Sequence, residues 1–270
     1  MKRKRAREPD PNTQPQKKAR FDSLPNEIVL LILETLGKDN RAATAPVPLV
    51  SRRWRALFER GGFWRISRWN ACREFARLGS VALLKLAREH GCPWHAQICA
   101  EAAKSGVLDC LKYAHENGCP WDKWTCVGAA KSGHLDCLKY AHENGCPWNE
   151  QTCVEAAQEG HLDCLKYAHE NGCPWDERTC VEAARGGHLD CLKYAHENGC
   201  SWDEWTCAAA AKNGCLDVLR WARKNDCPWD EQTCAMAALT GYWEIVKWAR
   251  EKGCPWNEET KAEAAEHGIY

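Results

Sequence analysis

Cysteine and histidine are the residues of this sequence with the greatest capacity for chemistry. The 270-residue chain holds 19 Cys and 10 His. Thiolates and imidazoles bind zinc, and a Cys beside a His can act as a nucleophile. Zinc sites use closely spaced ligands, whereas the intervals from Cys92 to Cys99, Cys110 and Cys119 contain no CxxC pair. We therefore expect structural thiols and no metal site.

One recurring cysteine can be compared between segments, because the sequence repeats itself. The third residue of the segment Leu-Asp-Cys-Leu is Cys110, Cys137, Cys164 and Cys191, and the same position is Leu83, Val218 and Ile245 elsewhere. A free Cys packs as a small hydrophobic residue. This exchange with branched aliphatic residues indicates a position in the core.

The histidines show similar variation between segments. The position of His134 is filled by Val107, Cys215 and Tyr242 in other copies. A metal ligand or a general base could not be replaced in this way. The sequence also has no phosphate-binding P-loop, no Gly-rich dinucleotide loop and no HExxH motif. We expect no catalytic residue, no enzyme activity and no cofactor.

A fixed repeat positions all these residues. The motif Gly-Cys-Pro-Trp, which first occurs at Gly91, is present in seven copies, with small changes, at intervals of 27 residues. A constant period of 20 to 50 residues is typical of a solenoid, in which each unit packs only against its neighbours. The pattern predicts an all-α solenoid over residues 66–270, with a degenerate first unit, about six regular units and a terminal half unit.

Each regular unit is predicted to contain two helices. The first runs from Thr125 to Gly133, and the second runs from Leu135 to Asn144 and closes at Gly145. Glycine favours the left-handed conformation that ends a helix, and a following Pro prevents continuation. We expect Trp148 to anchor the core beneath the helix pair.

This unit resembles an ankyrin repeat without its hairpin finger. The segment Gly133–Ala141, Gly-His-Leu-Asp-Cys-Leu-Lys-Tyr-Ala, is similar to the family's second helix, and Thr152–Ala157 corresponds to its Thr-Pro-Leu-His-x-Ala-Ala motif. Cys153 and Glu155 replace the Pro and His, and the linker from Trp148 to Thr152 is about six residues shorter than in the family. The resemblance implies a protein-binding array.

The surface predicted to bind a partner lies on the first helices, where the units differ most. The second helices are almost identical in sequence, and variation gathers before and along the first. Trp124 and Trp205 stand out, since Trp is favoured as an interface anchor. They are three repeats apart, or about 30 Å at about 10 Å per helix layer. The predicted residues of this concave face are Trp124, Gln151, Gln158, Arg178, Arg185, Trp205, Gln232 and Met236.

Residues 1–20 are predicted to form a disordered basic tail. They hold eight Lys or Arg and two acidic residues, a net charge of +6, which leaves −6 for the remainder of a chain with zero net charge. Two basic clusters resemble a bipartite nuclear localisation signal: Lys2, Arg3, Lys4 and Arg5, then Lys17, Lys18 and Arg20. The alternative is a solubilising tail. The acidic remainder does not favour nucleic-acid binding.

Residues 21–65 are predicted to form a small helical module. Leu24-Pro25-Asn26-Glu27-Ile28, Leu49-Val50-Ser51-Arg52-Arg53-Trp54 and Phe63-Trp64-Arg65 resemble an F-box, although Pro46 and Pro48 interrupt a segment that is ordinarily helical. The resemblance implies docking on a Skp-type adaptor through Leu24, Pro25, Ile28, Leu31, Ile32, Val50, Trp54 and Trp64. The alternative is a helical cap for the solenoid.

An F-box joined to Cys- and Trp-rich ankyrins resembles the repeat families of giant DNA viruses that infect amoebae. The resemblance implies a substrate receptor of a host Skp-cullin-F-box ubiquitin ligase, with an unidentified protein target bound by residues 66–270. The alternative is a binding scaffold or decoy without a ligase link. No apolar run or signal peptide directs the chain to a membrane or to secretion. We expect a monomer in the reducing cytoplasm or nucleus of the host cell.

Overall fold

Paired helices follow one another along the repeat region. In a computed structural model of the chain, residues 72–89 and 91–269 are described, and they lie in the second of two units, Met1–Ser67 and Arg68–Tyr270. Residues 72–77 are helical, and no strand occurs in the described residues. The helices that follow are α1 (Val81–Glu89), α2 (Ala96–Ser105), α3 (Leu108–Glu116), α4 (Lys123–Lys131), α5 (Leu135–Glu143), α6 (Glu150–Gln158), α7 (Leu162–Glu170), α8 (Glu177–Gly186), α9 (Leu189–Glu197), α10 (Glu204–Lys212), α11 (Leu216–Lys224), α12 (Glu231–Leu239), α13 (Trp243–Glu251) and α14 (Glu258–Glu266).

The even-numbered helices are the first helices of the repeats and the odd-numbered helices are the second. This order confirms the predicted helical solenoid, and the short linker from Gly145 to Asn149 contains no hairpin. The first helix starts at Lys123, two residues before the predicted Thr125, because Asp122 caps it. The second helix α5 ends at Glu143, one residue before the predicted end.

Glycine ends the second helix as predicted. Gly145 has φ of +83°, in the left-handed region. The next residue, Cys146, donates its N–H to the carbonyl oxygen of Ala141 at 2.9 Å. This bond satisfies a carbonyl at the helix end, and Pro147 then prevents the helix from resuming.

Small residues allow the first helices to approach one another. Cys126, Ala129 and Ala130 of α4 are fully buried, and the corresponding residues of α2, α6, α8, α10 and α12 are buried too. On the second helix, Cys137 and Leu138 are fully buried. Neighbouring first helices pack more closely than neighbouring second helices. The array is therefore tighter on the side of the first helices.

The cysteines belong to this core. Of the 19 free thiols, 18 are buried, and Cys215 is partly exposed. The prediction of core positions for Cys110, Cys137, Cys164 and Cys191 is confirmed, since each is at most 1% exposed.

The tryptophans of the repeated motif form a second layer between neighbouring second helices. Trp148 is half-buried, not enclosed beneath the helix pair as predicted. Its ring stacks on His142 with centroids 3.7 Å apart and meets the edge of Tyr167 at 6.3 Å. We call this set the tryptophan ladder; it consists of Trp94, Trp121, Trp148, Trp175, Trp202, Trp229 and Trp256.

The residues predicted to act in nuclear import and adaptor docking lie outside the described part of the chain. These are the basic residues of the tail, Lys2, Arg3, Lys4, Arg5, Lys17, Lys18 and Arg20, and the F-box-like set, Leu24, Pro25, Ile28, Leu31, Ile32, Val50, Trp54 and Trp64.

Candidate binding face

An aspartate cap positions the first residue of the predicted binding surface in several repeats. The Asp122 carboxylate accepts the backbone N–H of Trp124 at 3.0 Å, and Asp203 accepts that of Trp205 at 3.1 Å. Asp176 and Asp230 cap Arg178 and Gln232 in the same way. Such a cap satisfies a backbone donor that the helix leaves unpaired. The variable residue is thereby held in the first helical turn.

The two predicted anchors are the most exposed tryptophans of the described residues. Trp124 is 53% exposed and Trp205 is 51% exposed. The Lys123 ammonium lies 5.5 Å from the centre of the Trp124 ring. About half of each ring is therefore available to contact a partner.

The other six predicted residues share the same helix faces. Arg178 and Arg185 on α8 are exposed, and the remaining four are half-buried: Gln151 and Gln158 on α6, and Gln232 and Met236 on α12. Residues four and seven apart lie on one side of a helix. The eight side chains thus belong to one side of the array, which we call the first-helix face.

Ion pairs join neighbouring repeats across this face. The Lys131 ammonium of α4 lies 2.8 Å from Glu155 and 3.7 Å from Glu159, both on α6. The hydrogen bond that Lys131 donates to the Glu155 carboxylate raises the pKa of Lys131. Arg178 of α8 lies 3.6 Å from Glu150 at the start of α6. These contacts make α4, α6 and α8 a continuous polar surface.

The C-terminal part of the face is more apolar. Leu239 on α12 is 73% exposed, and Tyr242 in the turn after it is 42% exposed. Lys212 on α10 is exposed and is equivalent to Lys131. Met236 of the next repeat occupies the position equivalent to Glu155. Leu239 and Tyr242 are not among the eight predicted residues of this face. The exchange of His134 for Tyr242 at the equivalent position was the signal that could have identified the latter.

The histidines that were considered for catalysis pack between repeats. The His134 ring lies against Gly106, where an added Cβ would come within 2.4 Å of the imidazole, and Gly106 has φ of +74°. His115 stacks on Trp121 at 3.7 Å, and its Nδ1 lies 3.0 Å from the hydroxyl of Tyr140. Arginine takes the same position in later repeats, with Arg223 4.3 Å from the centre of Trp229. These imidazoles therefore act in packing.

Residues 72–89 and 91–269 contain no candidate metal site and no candidate membrane-spanning helix. These residues bring together no group of three or more His, Cys, Asp or Glu side chains that could hold a metal ion. Within the same ranges, no helix is both long enough and apolar enough to cross a lipid bilayer.

Comparison with solved structures identifies the type of fold. The human ASB11 ankyrin repeat domain, known from a crystal structure, is similar with a TM-score of 0.50 and 20% sequence identity, over 58% of this chain and 84% of that chain. No family model matches the sequence, and no curated protein matches it. The array of paired helices has an ankyrin-repeat-like fold.

Proposed function

We propose that this chain is a non-enzymatic binding protein whose partner protein docks on the first-helix face. The observation that carries the proposal is the pair of exposed, capped tryptophans, Trp124 and Trp205, at equivalent positions three repeats apart. Tryptophan side chains are frequent energetic anchors of protein interfaces. Four second helices share the sequence Leu-Asp-Cys-Leu-Lys-Tyr-Ala-His-Glu, so the second-helix side offers little to distinguish one partner.

The charges of the face favour a protein over a nucleic acid. Three cations of the face are already paired: Lys131 with Glu155, Arg178 with Asp176, and Arg185 with Glu182. Residues 21–270 carry a net charge of −6. Nucleic-acid binding requires clustered cations that are free to displace counterions, and this surface lacks such a cluster in its described residues.

We further propose that the partner is a substrate of a host ubiquitin ligase. The support is the F-box-like pattern from Leu24 to Trp64, placed before a protein-binding array. In this account the N-terminal segment docks on a Skp-type adaptor and the array captures a host protein, as expected of an amoebal giant-virus protein. The alternative is a scaffold or decoy in which the N-terminal helices serve only as a cap.

Co-purification from amoebal extract tests both parts. The tagged full chain is compared with Trp124→Ala/Trp205→Ala, with Leu24→Ala/Pro25→Ala, and with a control, Glu143→Ala/Glu197→Ala, altered at exposed second-helix residues. Loss of two anchors of about 2 kcal/mol each reduces affinity more than tenfold. We expect the tryptophan variant to lose the target and keep the adaptor, the Leu24/Pro25 variant to do the reverse, and the control to keep both.

Two outcomes would contradict these proposals separately. Equal recovery of every partner by the wild type and the tryptophan variant would remove the first-helix face as the binding site. Absence of adaptor and cullin from all samples, with helical content intact by circular dichroism, would leave the scaffold alternative.

A further inference from the structure

Two recurring cysteine positions of each repeat lie next to each other in the fold, although they are well separated in the sequence. One lies on the first helix, and the other follows the left-handed residue that ends the second helix, 20 residues later. That residue is glycine in six repeats and Asp226 in one. Seven successive repeats hold both: Cys72 and Cys92, Cys99 and Cys119, Cys126 and Cys146, Cys153 and Cys173, Cys180 and Cys200, Cys207 and Cys227, and Cys234 and Cys254.

These pairs differ from the other cysteines in how they vary. The Leu-Asp-Cys-Leu position accepts Leu83, Val218 or Ile245, as an apolar filler would. Both paired positions are cysteine in all seven of these repeats. Outside them, α14 carries Lys261 at the helix position. Burial alone therefore does not account for the paired cysteines.

The fold brings the two thiols of each pair together in the core. Cys126 is fully buried on α4, and Cys146 is 3% exposed in the turn after α5. The Cys126 thiol donates to the Cys146 carbonyl oxygen at 4.0 Å, which places this sulfur beside Cys146. The Cys146 thiol donates to the carbonyl of Asp122 at 3.2 Å. The pair thus links the turn to the first helix of the same repeat.

The two thiols of a pair differ from each other in their ionisation. The neighbouring thiol and burial raise the pKa of one member of every pair, Cys180 and Cys254 included, whereas the neighbouring thiol lowers the pKa of Cys200 and of Cys234. Burial raises the pKa of the unpaired Cys110 to about 12. Because the thiolate is the nucleophile in disulfide exchange, we expect Cys200 and Cys234 to be the attacking sulfurs of their two pairs.

We propose that the seven pairs are sites of reversible two-electron oxidation, each closing to a disulfide within its own repeat. The remaining five cysteines, Cys110, Cys137, Cys164, Cys191 and Cys215, stay as thiols because none has such a partner.

With glutathione disulfide as the oxidant, the reaction proceeds in two exchanges. One protein thiolate attacks a glutathione sulfur, forms a mixed disulfide and releases one glutathione thiolate, which takes up the proton. The second protein thiol then attacks the protein-bound sulfur, loses its proton and releases the second glutathione. Each pair loses two hydrogens, and one glutathione disulfide becomes two glutathione molecules.

Counting thiols in the full chain tests the proposal. The native protein is incubated with excess glutathione disulfide, quenched with acid, unfolded and alkylated with N-ethylmaleimide before intact mass measurement. Since the chain has 19 cysteines and the seven pairs account for 14, we expect five alkylated thiols and no glutathione retained on the paired cysteines. Dithiothreitol should restore all 19.

Two single substitutions separate paired from unpaired cysteines. Cys227→Ser removes one member of a pair and leaves Cys207 alone, so six of 18 cysteines should lie outside protein disulfides after oxidation, with Cys207 either alkylated or carrying one glutathione. Cys137→Ser removes an unpaired thiol and should lower the count to four of 18. Peptide mapping should find crosslinks between cysteines 20 residues apart. Nineteen alkylated thiols after oxidation, or crosslinks between other positions, would overturn the proposal. Circular dichroism before oxidation verifies that each variant is folded.

Discussion

Each regular repeat buries one threonine three residues after the position that caps its first helix. Thr125, Thr152, Thr179, Thr206 and Thr233 are fully buried, and among the described residues their hydroxyl oxygens have no hydrogen-bond partner. A buried polar group without a partner costs about 1–3 kcal/mol. The buried hydroxyl groups of these threonines therefore lower the stability of the fold.

Thr152→Val is expected to stabilise the array. Valine has nearly the same shape and removes the unpaired hydroxyl, so the free energy of unfolding should rise by about 1 kcal/mol. A shift of the urea unfolding midpoint measures this. Thr240→Val is the matched control, because the Thr240 hydroxyl donates to the carbonyl of Met236 at 2.8 Å; this change should give no gain. A lower midpoint for Thr152→Val would show that its hydroxyl has a bonding partner.

Individual site residues could be predicted only where they interrupt the repeated pattern. Trp124 and Trp205 were identified because they differ from Gln151 and Gln232 at the same position, and the structure leaves both rings exposed. Trp148 was placed too deep, because a repeated tryptophan suggests a core residue. The contact with the imidazole of His142, which leaves it half-buried, depends on how the turn folds back.

Helix boundaries follow from glycine, proline and capping residues. The glycines and prolines after the second helices were sufficient to predict their ends within one residue. Helix α4 starts two residues before the predicted Thr125, because Asp122 forms its N-terminal cap. Each cap also orients the variable residue two positions later.

Asp203→Ala is expected to weaken α10 and the position of Trp205. Removing the hydrogen bond that the Trp205 N–H donates to the Asp203 carboxylate should lower stability by about 1 kcal/mol. Urea unfolding of the full chain measures the loss. Asn149→Ala serves as the control, because Asn149 occupies the same cap position and its side chain makes no capping bond. Equal losses in the two variants would contradict a specific role for the aspartate caps.

The repeat period determines the architecture of the whole array. A spacing of 27 residues predicts helix pairs that stack on their neighbours, and the described residues have this order. The cysteine pairs could not be predicted in the same way. Their members are 20 residues apart, and they meet only because the turn after each second helix returns to the start of the first.

The side of the array that contacts the partner determines which tryptophans the partner shields from solvent. Hydroxyl-radical footprinting of the protein, alone and with the partner recovered by the wild-type chain, measures this directly. We expect oxidation of Trp124 and Trp205 to fall on binding, while Trp148 and Trp175 of the tryptophan ladder keep their rates. Protection of Trp148 and Trp175, with Trp124 and Trp205 unchanged, would contradict the claim and place the partner on the second helices.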